Sequence, residues 1–94
     1  MLVVGQIIID DFIRAHADGR GPLLAWIAEA EAANWTTPND IRGRFASASS
    51  LPDNTVVFNI KGNAFRLVVG VSYDVGVVEI QRVGTHAEYD KWRL

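Results

Sequence analysis

The stretch "GTHAEYDKW", residues 84–92, places a histidine, two carboxylates, a tyrosine and a lysine within nine positions, directly after a predicted strand. His86 and Tyr89 are side chains that can take up and release protons, as general acid–base catalysis requires. A structural alternative exists, because Thr85 and Glu88 have the spacing of a capping box at a helix start. The two interpretations are compatible, because a capping box accounts for Thr85 and Glu88 but not for the other polar side chains of the stretch. One face of that helix is predicted to carry His86, Tyr89, Asp90 and Arg93.

A predicted β-hairpin supplies the cations that this chemistry needs. If Gly62 and Asn63 form a two-residue turn, Asn59 lies opposite Arg66, and Lys61 lies on the same face of the two strands. The other face of the hairpin is wholly apolar and must be buried. Cations on an exposed sheet face are often only solvated, but Arg66 stands inside an apolar strand, where an arginine needs a partner or a purpose. The sequence therefore predicts a polar site on this face.

Together these residues suit cleavage of RNA without a metal ion. The ribose 2′-OH must lose a proton, the phosphate must be held while it gains negative charge, and the leaving 5′-oxygen must be protonated. We expect His86 and Tyr89 to handle the protons, and Lys61 and Arg66 to hold the phosphate. A metal site is not expected, because His16 and His86 are far apart in sequence and no carboxylate cluster accompanies them. No phosphate loop or dinucleotide fingerprint is present, and no cofactor is expected.

The elements that must position this site change character halfway along the chain. Residues 2–4 read as a short strand. Helical spacing then predicts a helix of about ten residues from Ile7, a second from about Pro22, and a short third helix anchored by Ile41 and Phe45. "ASASSLPDN" reads as a polar connection. After it, three strand patterns follow, "TVVFNI", "AFRLVVGVSY" and "VVEIQRVG". The predicted fold class is α+β, with N-terminal helices packed on a small antiparallel sheet and a short C-terminal helix.

Length and composition limit the class of protein. The 94 residues make one predicted domain, residues 1–94, and the absence of cysteine excludes disulfides and makes the cytoplasm the expected location. No apolar run is long enough to span a membrane, and no signal peptide is expected. Residues 1–40 carry two basic and six acidic side chains, whereas residues 41–94 carry seven basic and five acidic ones. This asymmetry indicates polyanion contact on the basic half or, equally, ordinary surface charge.

The segments "VFNIKGNAFRL" and "GTHAEYDK" closely resemble the HigB family of bacterial toxins, which are relatives of RelE. The upstream pattern formed by "NW", "P.DI" and "F", beginning at Asn34, is similar to that family as well, so the resemblance covers about residues 20–91. It implies a RelE-like fold and a ribosome-dependent mRNA endonuclease (an mRNA interferase) that inhibits translation. It also implies a cognate HigA-like helix-turn-helix antitoxin as a partner, besides the ribosome and mRNA.

Carried over residue by residue, the resemblance assigns catalysis to Arg66, Lys61, His86 and Tyr89. RNA binding falls to Asn59, Asn63 and Lys91, and Asp90 is expected to orient a neighbour. The chain departs from the family pattern after Lys91, where it ends in "WRL". The alternative is a catalytically inactive interaction module that partners a helix-turn-helix antitoxin or regulator.

Overall fold

A computed structural model describes all of residues 1–94, which form a five-stranded sheet with the three longer helices on one face. Three helices precede most of the sheet, and one short helix follows it. A single 3₁₀ turn, Ala17–Gly19, joins the first two helices. In chain order the elements are β1 (Leu2–Val4), α1 (Gln6–Ala15), α2 (Arg20–Ala32), α3 (Pro38–Arg44), β2 (Ser49–Leu51), β3 (Thr55–Ile60), β4 (Phe65–Ser72), β5 (Val77–Thr85) and α4 (His86–Tyr89).

The strand order is β1-β5-β4-β3-β2, and the sheet is mixed. Strands β2 to β5 form the expected antiparallel meander, but β1 pairs with β5 in parallel. The prediction of a purely antiparallel sheet is therefore wrong at this edge. The segment between β1 and β5, which contains α1 to α3 and β2 to β4, is long enough for the chain to return and run in the same direction, as parallel pairing requires. The prediction of an α+β fold is confirmed.

The predicted helices are present with small shifts in their ends. Helix α3 begins with a capping box, in which the Thr37 hydroxyl accepts from the Asp40 amide and the Asp40 carboxylate accepts from the Thr37 amide. Pro38 occupies the first turn, where its missing N–H costs nothing. The interpretation of "ASASSLPDN" as only a connection is wrong, because Ser49–Leu51 forms the edge strand β2. Its serines carry little strand signal.

The main core lies between the helices and one face of the sheet. The ring of Phe58 meets that of Trp26 edge-on and stacks in parallel with that of Trp35. Ile9 and Leu67 are fully buried in the same core. The opposite face, which we call the open face, carries the alternate residues of the strands. None of the helices is long and apolar enough to cross a membrane.

A β-bulge interrupts the β4–β5 ladder. Val68 pairs with Arg82 and Val69 with Ile80, so Gln81 is an extra residue in β5. Ile80 faces the helical core, and strict alternation would send the side chain of Arg82 to that core as well. The extra residue instead brings Gln81 and Arg82 both to the open face. The bulge therefore adds a cation to the face that carries Arg66.

Candidate active site

The β3–β4 hairpin has the predicted register. Asn59 pairs with Arg66 and Val57 with Val68, while Phe58 and its neighbours face the helices. The turn is wider than expected and spans residues 61–64, because Lys61 leaves the strand with a φ of 54° and Gly62 follows with a φ of 63°. Lys61 thus belongs to the turn and not to the strand.

Arg66 is the one buried charged side chain of the protein, with 7% of its surface exposed. Its Nη1 donates to the carbonyl oxygens of Asn63 at 3.1 Å and Phe65 at 3.2 Å. Its Nη2 donates to Oδ1 of Asn63 at 2.6 Å. No carboxylate lies within ion-pair distance of this guanidinium, although Arg14, Arg44 and Lys61 each have one. A buried cation that has hydrogen-bond acceptors but no counter-ion is a favourable place for an anion.

The first residue of helix α4 is hydrogen-bonded to the hairpin turn. The backbone N–H of His86 donates to the carbonyl oxygen of Ala64 at 3.0 Å. The predicted capping box is present, since Thr85 accepts from the amide of Glu88 and Glu88 accepts from the amide of Thr85. That second hydrogen bond is the main cause of a lowered pKa of the Glu88 carboxyl. The capped first turn therefore fixes where the His86 side chain lies.

The imidazole of His86 meets the guanidinium of Arg66. Nδ1 of His86 lies 2.7 Å from Nη2 of Arg66. Arginine can only donate, so Nδ1 is the acceptor and the neutral ring carries its proton on Nε2. Nε2 in turn faces Oδ2 of Asp90 at 3.6 Å. This distance is longer than a hydrogen bond, so the role of Asp90 in orienting a neighbour stays a prediction.

Tyr89 completes the cluster from the end of α4. The guanidinium carbon of Arg66 lies 5.5 Å from the centre of its half-buried ring, which is cation–π distance. The helix ends at Tyr89, so the prediction that Arg93 shares its face is wrong. Four residues give a single turn, and Lys91 to Leu94 leave it as irregular chain. Arg66, His86 and Tyr89 therefore form the centre of the candidate site.

The other predicted site residues lie around this centre, and they differ in whether they contact Arg66. Lys61 does not extend the row formed by Asn59 and Arg66, because its ammonium binds Oδ2 of Asp18 at 2.8 Å. This hydrogen bond is the largest cause of the lowered pKa of the Asp18 carboxyl. Asn63 is a direct support of Arg66. Asn59 is half-buried opposite Arg66, and Lys91 is exposed just beyond α4.

Two further residues, Arg82 and Trp92, extend the site beyond those identified from sequence. The guanidinium carbon of Arg82 lies 4.9 Å from the centre of the Trp92 ring, and Trp92 meets Tyr89 edge-on at 5.8 Å. The indole lies against Gly84, where an added Cβ would be 2.6 Å from Trp92 Cζ2. The sequence signal for this contact was weak. A glycine inside β5 and a tryptophan after Lys91 are both visible, but only the bulge brings Arg82 beside them.

Residues 20–92 match a family model, HigB_toxin, described as the RelE-like toxic component of a toxin-antitoxin system. The match includes the hairpin, the bulge and all of α4. None of the curated proteins compared with the chain is similar enough to count as a relative.

Proposed function

Because the chain belongs to the HigB family of RelE-like toxins, the toxic components of toxin–antitoxin systems, we propose that it is a ribosome-dependent mRNA endonuclease. The observation that carries the proposal is the buried guanidinium of Arg66, which has no carboxylate partner and contacts both His86 and Tyr89. A phosphate is the anion that this arrangement suits, since a guanidinium can bind it through two N–H groups.

The proposed reaction is an internal transfer at the scissile phosphate. The 2′-OH loses its proton, the 2′-oxygen forms a bond to phosphorus, and the bond from phosphorus to the 5′-oxygen breaks. The 5′-oxygen leaves with a proton, and the products are a 2′,3′-cyclic phosphate and a 5′-hydroxyl end. Arg66 stabilises the charge that gathers on the non-bridging oxygens, where a preorganised donor contributes most.

Because Arg66 and His86 are in contact, the proposed reaction requires phosphate binding to precede proton transfer to His86. In the resting site, the Nδ1 lone pair of His86 accepts from Arg66, so it is not free to take a proton. A phosphate oxygen bound by Arg66 competes for the same N–H and releases Nδ1. We assign His86 as the base that then accepts the 2′-OH proton, and Tyr89 as the acid that protonates the 5′-oxygen. Asn63 holds the guanidinium in place from the other side.

The remaining predicted residues contact RNA away from the cleaved bond. Asn59 and Lys91 lie on or beside the open face, and Lys61 reaches a phosphate only after leaving Asp18. The acidic residues 1–40 do not favour strong binding of free RNA, so the ribosome supplies the message in a fixed position. An antitoxin is the partner that the family implies, and we propose that it is of the HigA-like helix-turn-helix type. The site of action is the cytoplasm, where translation takes place.

Induced expression with mapping of mRNA ends tests the proposal. The wild-type protein is expected to arrest growth and to create new 5′ ends in translated mRNA, whereas Arg66→Ala and His86→Ala are not. Arg14→Ala is the matched control, because Arg14 is an exposed arginine on α1 whose ion pair is with exposed Asp11. Circular dichroism and melting curves verify that each variant is folded.

The outcome also decides between cleavage and the alternative of an inactive interaction module. A module would bind its antitoxin but leave no new 5′ ends, even at high expression. Full toxicity in both folded Arg66→Ala and His86→Ala variants would contradict the proposed site. Omitting ribosomes from an otherwise complete cleavage reaction tests the dependence on translation.

A further inference from the structure

We propose that Arg82 and Trp92 form a second nucleotide subsite, which binds single-stranded RNA next to the phosphate held by Arg66. The inference rests on the proposed function, and it adds residues to which no role has been assigned. It begins with a row of alternating cations and rings on the open face, Arg66, Tyr89, Trp92 and Arg82, which we call the cation–aromatic row. Each neighbour in this row lies 4.9 to 5.8 Å from the next.

The first support is the position of Arg82. Its side chain lies on the open face because the β-bulge places Gln81 as an extra residue before it. Arg82 is exposed and belongs to none of the ion pairs of the protein. Bulges recur next to active sites, where they redirect a side chain. The fold therefore presents a second unpaired guanidinium on the face of the first.

The second support is the packing of Trp92 against the sheet. Gly84 lies directly opposite Arg66 in the β4–β5 ladder, and its missing side chain leaves room for the indole against the strand. Trp92 remains only half-buried, unlike Trp26 and Trp35 in the core, which are 2% and 6% exposed. An aromatic ring that is held in place and partly open to solvent is a stacking surface for a base.

The spacing of the row suits an RNA strand in particular. Single strands present phosphates and bases in alternation, and proteins bind them with cationic and aromatic side chains side by side. Arg66 would hold the scissile phosphate. Arg82, which lies over the Trp92 ring, would move to bind the next phosphate, and the ring would then stack on the base between them. Packing of the chain end on the sheet is the structural alternative, and it predicts no effect on RNA binding beyond that of stability.

Binding of a 2′-O-methyl RNA octamer to the full chain tests the subsite, since this probe lacks the 2′-OH and cannot be cleaved. Titration of the wild-type protein is expected to quench tryptophan fluorescence, because Trp92 is the only tryptophan outside the core. Anisotropy of a labelled octamer then gives the affinity of variants. Trp92→Leu is expected to bind about tenfold more weakly, and Trp92→Phe to recover much of that loss.

The salt dependence of binding isolates Arg82. One lost phosphate contact lowers the slope of log affinity against log salt by about 0.7 for a single strand. We expect that change in Arg82→Gln and none in Arg14→Gln. Unquenched fluorescence at saturating octamer, no binding at millimolar octamer, or wild-type affinity in both folded Trp92→Leu and Arg82→Gln would overturn the subsite. Failure of the proposed nuclease is a separate result, because missing 5′ ends would leave the octamer affinities unchanged.

Discussion

The ammonium of Lys61 lies 2.8 Å from the carboxylate of Asp18, which is 43 residues earlier in the chain. This ion pair ties the hairpin turn to the 3₁₀ turn before α2, and both side chains are about half exposed. Lys61 takes a left-handed backbone conformation, with a φ of 54°, that is uncommon outside glycine. The residue that sequence patterns placed beside Arg66 is thus held by another element.

This pairing predicts unequal effects of removing the two cations. Arg66→Ala is expected to abolish mRNA cleavage, while Lys61→Ala keeps a measurable part of it, because only Arg66 is aimed at the proposed phosphate. Comparison of cleavage rates in a translation reaction checks the order. Equal loss in the two variants would contradict it.

Asp18→Asn is the companion of Lys61→Ala, since it frees the ammonium without removing it. We expect stability to change little in both variants, because exposed ion pairs contribute little to folding. If Lys61 takes part in RNA binding, Asp18→Asn cleaves at least as well as the wild-type protein. Reduced cleavage in Asp18→Asn would show instead that the ion pair itself supports the site.

The acid and base roles are separable by changing the leaving group. A substrate with sulfur in place of the 5′-oxygen needs no protonation to leave, since a thiol is far more acidic than an alcohol. We expect Tyr89→Phe to lose roughly 10²- to 10⁴-fold in cleavage rate on normal RNA and to recover on this substrate. His86→Ala is expected to stay slow on both. Recovery of His86→Ala and not of Tyr89→Phe would reverse the assignment.

The sequence predicted those features of the candidate site that depend on local pattern. The register of Asn59 with Arg66 follows from alternation and a glycine turn, and the capping box of α4 follows from the spacing of Thr85 and Glu88. His86 reaches Arg66 through one further contact that neither pattern predicts, the hydrogen bond from the backbone N–H of His86 to the carbonyl oxygen of Ala64 in the hairpin turn.

The features that could not be predicted depend on long-range or irregular structure. The extra residue in β5 has no signature in "VVEIQRVG", so the face of Arg82 was not determined by alternation. The partner of Lys61 lies in a turn before α2, and nothing local in either segment indicates the other. The length of α4 was overestimated, because the capping signal marks a helix start and not its end.

Gly84→Ala is predicted to disturb the site through Trp92. The new methyl group would lie 2.6 Å from Cζ2 and 2.9 Å from Cη2 of the indole, so the ring must move. We expect a loss of about 1–3 kcal/mol in the free energy of unfolding, as for overpacking elsewhere, together with reduced cleavage. Gly43→Ala is the control, because nothing lies within 4 Å of an added methyl group there and alanine favours the helix. Urea unfolding of both variants measures the difference in stability. Equal stability of the two variants would contradict the close packing of Trp92 on Gly84.

The capping box of α4 predicts a specific dependence of stability on pH. The pKa of Glu88 is lowered from 4.5 in the folded protein, chiefly by the hydrogen bond from the Thr85 amide. A carboxyl whose folded pKa is depressed stabilises the fold fully above its unfolded pKa, and this contribution is lost as the pH falls through the folded pKa. Glutamine can make the same hydrogen bond without a charge. The stability difference between wild type and Glu88→Gln is therefore expected to be largest at pH 6 and to shrink steadily below about pH 4.5, as measured by urea midpoints. A difference that stays constant from pH 6 to pH 3 would mean that the charge of Glu88 adds nothing to the cap.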